Sequence, residues 1–387
     1  VVLIVVDQFG SSSYRRYHPI LREGFYRLQK EGTLFLDVHH EHAATVTCAG
    51  HATIATGVSP RFHGIVENDW YDVEKRKEIY CADDNKGGLS AENLLVPTIG
   101  DLLKEKDKRS LVYGISGKDR SAIYLSGKKA DGAIWLESKE DRDWRTLQGA
   151  LNLIDEKQLG KDKYPDLLAI SFSDVDIVGH RYGSESKEAK AAILKVDKYL
   201  NVLLKKISSK VGKDNALVIV TADHGVAASG GQLGIETLEC ETRAKVSVAK
   251  ELQIEELFLD GYYLRKGDFN REQLATLLRR KLLQCPKIAS VYTRHLSKEA
   301  LSLNDKIYQR FQNSDFAERS PDFTVLYAPG FYQIAPPQVT THGTPWDYDS
   351  QVPLFIWGKW DKKSWLKKGV KDTRDIFTII GNALGVF

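Results

Sequence analysis

The chain has 387 residues, 42% of them hydrophobic and 28% charged, which is enough to bury a large core and excludes ordinary disorder. Lys+Arg of 55 against Asp+Glu of 52 leaves a net charge of +3, so no basic tail or stripe marks a nucleic-acid binder, and an acidic ligand would need a local site. No apolar run approaches the roughly 18 residues of a membrane span, and the length suits one large domain or a domain with a cap.

In chain order, VVLIVVD (1–7) is a short β-branched run that reads as a strand buried on both faces; it lacks the basic flank and cleavage site of a signal peptide. The segment HAATVTCAGHATIATG (42–57) reads as a loop entering a helix near Cys48, which puts Thr47 at the helix N-terminus. Further strand-like runs are SLVYGIS (110–116), DLLAISFSD (166–174), ALVIVTAD (216–223) and VPLFIWG (352–358). Between the second and third of these, Ile193, Val196, Leu200, Leu203, Leu204 and Ile207 recur at spacings of three and four, predicting a helix over 187–207. This alternation predicts an α/β fold with a mainly parallel sheet covered by helices. Residues 226–335 break it with a composition rich in aromatics and charges, and read as a cap or insertion on a core of 1–225 and 336–387. TRDIFTIIGNALGV (373–386) reads as a closing helix.

Ligands of open α/β sheets bind beyond the carboxyl ends of the strands. Three of the five runs end there in aspartate: Asp7, the pair Asp174 and Asp176, and Asp223. Each alone reads equally as a helix cap, but three aimed at one rim repel each other unless a cation lies between them. Histidines accompany them in DIVGH (Asp176, His180), DHG (Asp223, His224) and THGTP (His342). Carboxylate and neutral imidazole suit Zn²⁺, although they accept other divalent ions, and six such ligands with a hydroxyl would fill two sites. Two metals about 4 Å apart form the usual clamp for phosphoryl transfer.

Thr47 has two readings, a helix N-cap or a nucleophile favoured by the helix dipole and activated by metal. The four cysteines, Cys48, Cys81, Cys240 and Cys285, lack CxxC spacing and are too scattered for a disulfide framework, leaving one or two bridges open. Cys48 reads as a buried structural residue, because CAGHA lacks the C-x-P-x-R pattern of a sulfatase nucleophile.

Taken together, VVDQ, TVTCAGHATIATG, HGIVENDWYD, SGKDR, DVDIVGHRYG, TADHG and THGTPWDYDSQVPL resemble the alkaline phosphatase superfamily. They are most similar to the branch shared by nucleotide pyrophosphatase/phosphodiesterases and PafA-type phosphate-irrepressible alkaline phosphatases. The resemblance implies an alkaline phosphatase-like sandwich and two zinc ions. One would be held by Asp176, His180 and His342, the other by Asp7, Asp223 and His224 with Thr47. Asp176 is preferred over Asp174 because D-x-x-x-H matches the family. Thr47 would become a phosphothreonine, and Asn68 would contact a phosphoryl oxygen. Lys118 and Arg120 resemble the pair that meets the extra charge of a phosphate monoester, which diesterases of the neighbouring branch lack.

The expected function is therefore zinc-dependent hydrolysis of small-molecule phosphate monoesters, with activity rising toward neutral or alkaline pH. The alternative on the same site is a phosphodiesterase or nucleotide pyrophosphatase, with Trp70, Tyr71 or Tyr182 stacking a base. A non-catalytic metal or phosphate binder is the contrasting class, and duplex nucleic acid is not an expected partner. Relatives of this type are exported, so the resemblance implies a periplasmic or secreted protein that has lost a signal peptide.

Overall fold

The structure, a computed structural model, describes residues 1–136, 141–228, 231–334 and 336–387. Its centre is a seven-stranded sheet. The strands are β1 (Val2–Val6), β2 (Thr33–His39), β3 (Val112–Ser116), β4 (Gly132–Trp135), β5 (Leu167–Phe172), β6 (Leu217–Thr221) and β7 (Gln351–Gly358). They lie in the order β2-β7-β6-β1-β5-β3-β4. All five runs singled out in the sequence are among them. β7 pairs antiparallel with both β6 and β2, while β6, β1, β5, β3 and β4 pair in parallel.

Every residue of β1, β3, β5 and β6 is buried, as expected of parallel strands with helices on both faces. The two strands not anticipated, β2 and β4, are the edges. Their residues are largely half-buried, so neither makes a continuous apolar run. The helix expected over 187–207 spans Lys187–Lys210, and the Ser186 side chain caps it by accepting from the Ala189 N–H. Its periodic residues Val196, Leu200, Leu203, Leu204 and Ile207 face the core. The closing helix spans Asp375–Ala383.

Residues 231–334 add no strand to this sheet. They form helices Ile235–Glu251 and Arg271–Leu282 around a separate apolar cluster that includes Val248, Leu274, Leu278, Val291 and Phe323, and a helix Asp305–Ser314 whose Ile307 and Phe311 pack in a second cluster with Ala43 and Leu301. Strands Ile288–Tyr292 and Thr324–Tyr327 pair antiparallel there, and a Cys240–Cys285 disulfide joins two of its segments. Arg310 fastens this region to the loop that carries His342. Fully buried, it donates to the Pro345 carbonyl at 2.6 Å and to Asp347 Oδ1 at 2.9 Å.

Core packing sets the rigidity of the rim above it. Phe172 closes β5 with no exposed surface and packs against the Tyr199 ring, and the next turn carries Asp176. Phe172→Ala is expected to destabilise the fold by about 3–5 kcal/mol, read as a lower urea midpoint with unchanged slope.

Candidate active site at the carboxyl edge of the sheet

Strand order alone brings the carboxylates together. β5, β1 and β6 are neighbours, and Asp176, Asp7 and Asp223 follow their carboxyl ends; the Asp7 N–H donates to the Phe172 carbonyl at 2.9 Å. β3 lies on the far side of β5 and delivers Lys118. Helix α1 (Thr47–Thr56) packs across the same rim. It approaches so closely that a Cβ on Gly50 would lie 2.3 Å from the Asp223 carbonyl oxygen. Thr47 is the first helical residue and Val46 is the cap residue, with no capping side-chain bond; the Thr47 hydroxyl is therefore not spent as an N-cap.

The six strand-end residues sort into two triads, Asp176 with His180 and His342, and Asp7 with Asp223 and His224. Within each, one ligand atom per residue lies within 4.8 Å of the others. All three histidines are oriented through Nδ1, which faces a backbone carbonyl: Thr340 O for His180, Thr45 O for His342 and Gly225 O for His224, at 2.8–3.0 Å. A carbonyl only accepts, so each Nδ1 carries a proton and each Nε2 faces the cluster, available as a ligand whenever it is unprotonated. Two of those nitrogens, on His180 and His342, stand 3.2 Å apart. In the other triad Asp7 Oδ1, Asp223 Oδ2 and His224 Nε2 are buried without a hydrogen-bond partner. Facing lone pairs and orphaned carboxylate oxygens are costly alone and are what a divalent cation satisfies, so both triads fit metal ions.

Charge is distributed accordingly. Burial, and then the Asp176 and Asp223 carboxylates, push the Asp7 carboxyl well above the usual range. Burial acts in the same direction on Asp176, but the Lys118 ammonium and His180 outweigh it and hold that carboxyl well below the usual range. Burial lowers the His224 imidazole to about 3, so its ring is neutral with a free lone pair.

Lys118 Nζ donates to Asp7 Oδ2 at 2.5 Å and Asp176 Oδ2 at 2.7 Å, which places its cation between the two triads. Arg120 stands beside it, with Nη1 3.4 Å from the Tyr80 hydroxyl and Nε buried without a partner. Tyr80 in turn donates to Asp119 Oδ1 at 2.7 Å. Asn68 Oδ1 accepts from the Cys48 N–H at 3.0 Å, so its Nδ2 remains as the donor toward the site. Asp174 is in neither triad; its Oδ2 accepts from the Asp143 N–H.

Two residues had no role in the sequence reading although both stand in its motifs. Gln8, the last residue of VVDQ, has φ 67° and spans the triads, donating from Nε2 to Asp176 Oδ1 at 2.8 Å and from N to Asp223 Oδ1 at 3.2 Å. Gly179 leaves room for it, since a Cβ there would lie 1.9 Å from Gln8 Oε1. His51, one helical turn after Thr47, lies 2.8 Å from the Thr47 carbonyl, 3.2 Å from Asp223 Oδ2 and 2.9 Å from Ser171 Oγ. Its i+4 spacing from Thr47 was the available signal.

The cysteines form two bridges, Cys48–Cys81 and Cys240–Cys285, and none is free, so the number left open is two and Cys48 is the buried structural residue expected. One expectation needs correction. Trp70 does not stack a base: it is 5% exposed and lies under the Arg319 guanidinium at 4.8 Å. Tyr71 packs against Tyr263, and Tyr182 is exposed beside Arg181.

A mainly parallel sheet whose carboxyl edge carries two carboxylate–imidazole triads, a helix-terminal hydroxyl and two cations defines a phosphoric ester hydrolase with candidate metal sites. The chain belongs to the type I phosphodiesterase / nucleotide pyrophosphatase family, whose profile matches residues 1–348, and it is an enzyme that hydrolyses phosphate esters. Alkaline phosphatase PhoD of Zymomonas mobilis is 28% identical over 470 residues, covering 92% of this chain and 80% of that protein. Alkaline phosphatase PafA of Elizabethkingia meningoseptica is 26% identical, covering 92% and 86%. The crystal structure of wild-type PafA shares the fold with a TM-score of 0.85 at 24% identity, over 100% of this chain and 95% of that one. Murine ectonucleotide pyrophosphatase / phosphodiesterase 5 shares it at 0.67 and 16% identity, again over 100% and 95%. Among the described residues no helix is long and apolar enough to cross a membrane.

Proposed function

We propose that the protein is a phosphomonoesterase of the alkaline phosphatase type, acting through a phosphothreonine at Thr47 beside two zinc ions. The observation that carries the monoester reading is Lys118, whose ammonium lies between the triads with the Arg120 guanidinium next to it. A monoester dianion has one more anionic oxygen than a diester, and this pair is suited to neutralise it.

Asp176, His180 and His342 would hold one ion, and Asp7, Asp223 and His224 with Thr47 the other. When bound, the ions supply Lewis-acid charge at the attacking and leaving oxygens. Thr47 Oγ attacks phosphorus in line, the ester oxygen leaves on the opposite side, and water then hydrolyses the phosphothreonine. Asn68 Nδ2, Lys118, Arg120 and the N-terminal dipole of α1 hold the equatorial oxygens as charge redistributes. Gln8 and His51 position the carboxylates and the nucleophile segment.

The test is kcat/KM for a paired aryl phosphate monoester and diester with the metal-loaded enzyme. In the Lys118→Ala/Arg120→Ala variant, monoester turnover is expected to fall by about 10²–10³-fold and diester turnover by less than about tenfold. Diester preference in the wild type, unaltered by the double substitution, would instead favour the phosphodiesterase reading.

A division into a catalytic core of 1–225 and 336–387 with a cap of 226–335 belongs to the same proposal, supported by the separate apolar cluster of the inserted region. An exported location, periplasmic or secreted, accords with two disulfides, which persist in oxidising compartments.

A further inference from the structure

The two cysteines of the Cys48–Cys81 bridge hold the same residue from opposite ends. Cys48 is the second residue of α1, so its N–H is among those of the first helical turn that have no intrahelical partner. Val46, in the cap position, offers no side-chain bond, and Asn68 takes that place, its Oδ1 accepting from the Cys48 N–H at 3.0 Å. On the other side, strands Asp69–Asp72 and Lys77–Tyr80 pair antiparallel with Asp69 opposite Tyr80. The next N–H, that of Cys81, donates to the Asn68 carbonyl at 2.8 Å. Asn68 is therefore clasped at its backbone by Cys81 and at its side-chain amide by Cys48, and the disulfide ties the two donors to each other. Cys81 is itself anchored, its carbonyl accepting from the Tyr124 hydroxyl at 2.5 Å and from Asn93 Nδ2 at 2.9 Å. Both cysteines and Tyr124 have no exposed surface, and they share one apolar cluster with Ala52, Ile65 and Trp70.

A side-chain amide is planar, so once Asn68 Oδ1 is committed to the Cys48 N–H the direction of Nδ2 is set as well. Thr47 directly precedes Cys48, so the same clasp sets the spacing between the Thr47 hydroxyl and the Nδ2 donor. We propose that the Cys48–Cys81 disulfide is a positioning element of the reaction, locking Asn68 against the start of α1 so that Nδ2 and Thr47 Oγ address the same phosphoryl group. The inference rests on the phosphomonoesterase reading, in which Thr47 attacks and Asn68 holds an equatorial oxygen, and deepens it. A donor aimed at developing charge is effective only when held within about 0.5 Å of the productive geometry, and a misplacement of about 1 Å costs on the order of 10²-fold in rate. A covalent tie between the two groups that hold Asn68 meets that requirement where two hydrogen bonds alone leave the segment room to shift. The other bridge, Cys240–Cys285, joins segments of the inserted region and serves as the control.

The test is a double-mutant cycle on the metal-loaded enzyme, with Cys48→Ala/Cys81→Ala made both in the wild type and in Asn68→Ala, and kcat/KM read with 4-nitrophenyl phosphate. The alanines keep both backbone N–H groups, so what is lost is the covalent tie. In the wild-type background kcat/KM is expected to fall about tenfold, mainly in kcat and with metal content unchanged. In the Asn68→Ala background the same replacement is expected to change it less than about twofold, because the residue it positions is gone. The unfolding midpoint should drop by the same amount in both backgrounds, which separates the contribution to stability from the contribution to the reaction. Cys240→Ala/Cys285→Ala is expected to leave turnover unchanged. Should the Cys48→Ala/Cys81→Ala variant not fold, Tyr124→Phe decides alone. It keeps the bridge, removes one anchor of Cys81, and is expected to lower kcat/KM about threefold in the wild type and not in Asn68→Ala. Equal losses in the two backgrounds, no loss in either, or an equal loss in the control would overturn the positioning role. Turnover undiminished by Asn68→Ala itself would instead strike Asn68 from the parent reading.

Discussion

Thr47→Ala is expected to lower monoester turnover by about 10⁴-fold or more, with an unfolding curve close to that of the wild type. The magnitude follows from the role, because removing a nucleophile leaves only binding and electrostatic stabilisation, and those cannot form the intermediate. The fold should tolerate the change. Thr47 is buried at the first position of its helix without capping it, so the substitution removes a small side chain that holds no structural hydrogen bond of the helix terminus. Thr47→Ser keeps the hydroxyl and should retain most of the activity. Acid quenching during turnover, followed by peptide mass analysis, should find phosphate on Thr47 in the wild type and on no residue in the alanine variant. Undiminished turnover by Thr47→Ala would remove this residue from the chemistry and return it to a packing role at a helix terminus.

How much of this was legible in the sequence depends on what kind of signal each element carried. β1, β3, β5, β6 and β7 could be read because strands buried on both faces are continuous apolar runs. The edge strands β2 and β4 carry no such run, because half of their surface meets the periphery. Asp7, Asp176 and Asp223 stood out because they end or follow three of the five runs, and strand adjacency then brings them to one rim. His180 and His224 lie near them in sequence, whereas His342 lies 119 residues beyond Asp223; it was counted among the six candidate ligands, but the division into two triads came through family resemblance. Gln8 and His51 escaped for a different reason. Each acts by bonding to a ligand or to the backbone of the nucleophile, and a one-dimensional pattern does not encode such partners. The inserted region was recognisable only as a break in periodicity. Its disulfide and its clamp through Arg310 depend on contacts between distant segments.

Removing the metal should affect activity and stability in a way that separates ligands from ordinary buried aspartates. After exhaustive chelation, turnover is expected to fall to below about 1% of the loaded enzyme and to return with zinc, since on the proposed mechanism the ions would provide the charge that meets the attacking and leaving oxygens. Elemental analysis of the loaded wild type should give two ions per chain, and of Asp223→Ala about one. The stability comparison is the sharper test. Asp7 and Asp176 share the Lys118 ammonium, and Asp7 Oδ1 and Asp223 Oδ2 have no hydrogen-bond partners. Loaded protein gains about 4 kcal/mol per site when free metal is 1,000-fold above Kd, a gain lost on chelation. Asp223→Ala should therefore destabilise the loaded protein. In the chelated protein the same substitution removes only the hydrogen bond from the Gln8 N–H and the contacts with His51 and His224, so the loss should be smaller by the metal-linked gain. A structural aspartate held by His51 and the Gln8 N–H would behave otherwise, because its loss would destabilise both forms equally. That equality would remove Asp223 from the ligand set, whereas a loss that is clearly larger in the loaded than in the chelated protein requires a cation at this carboxylate.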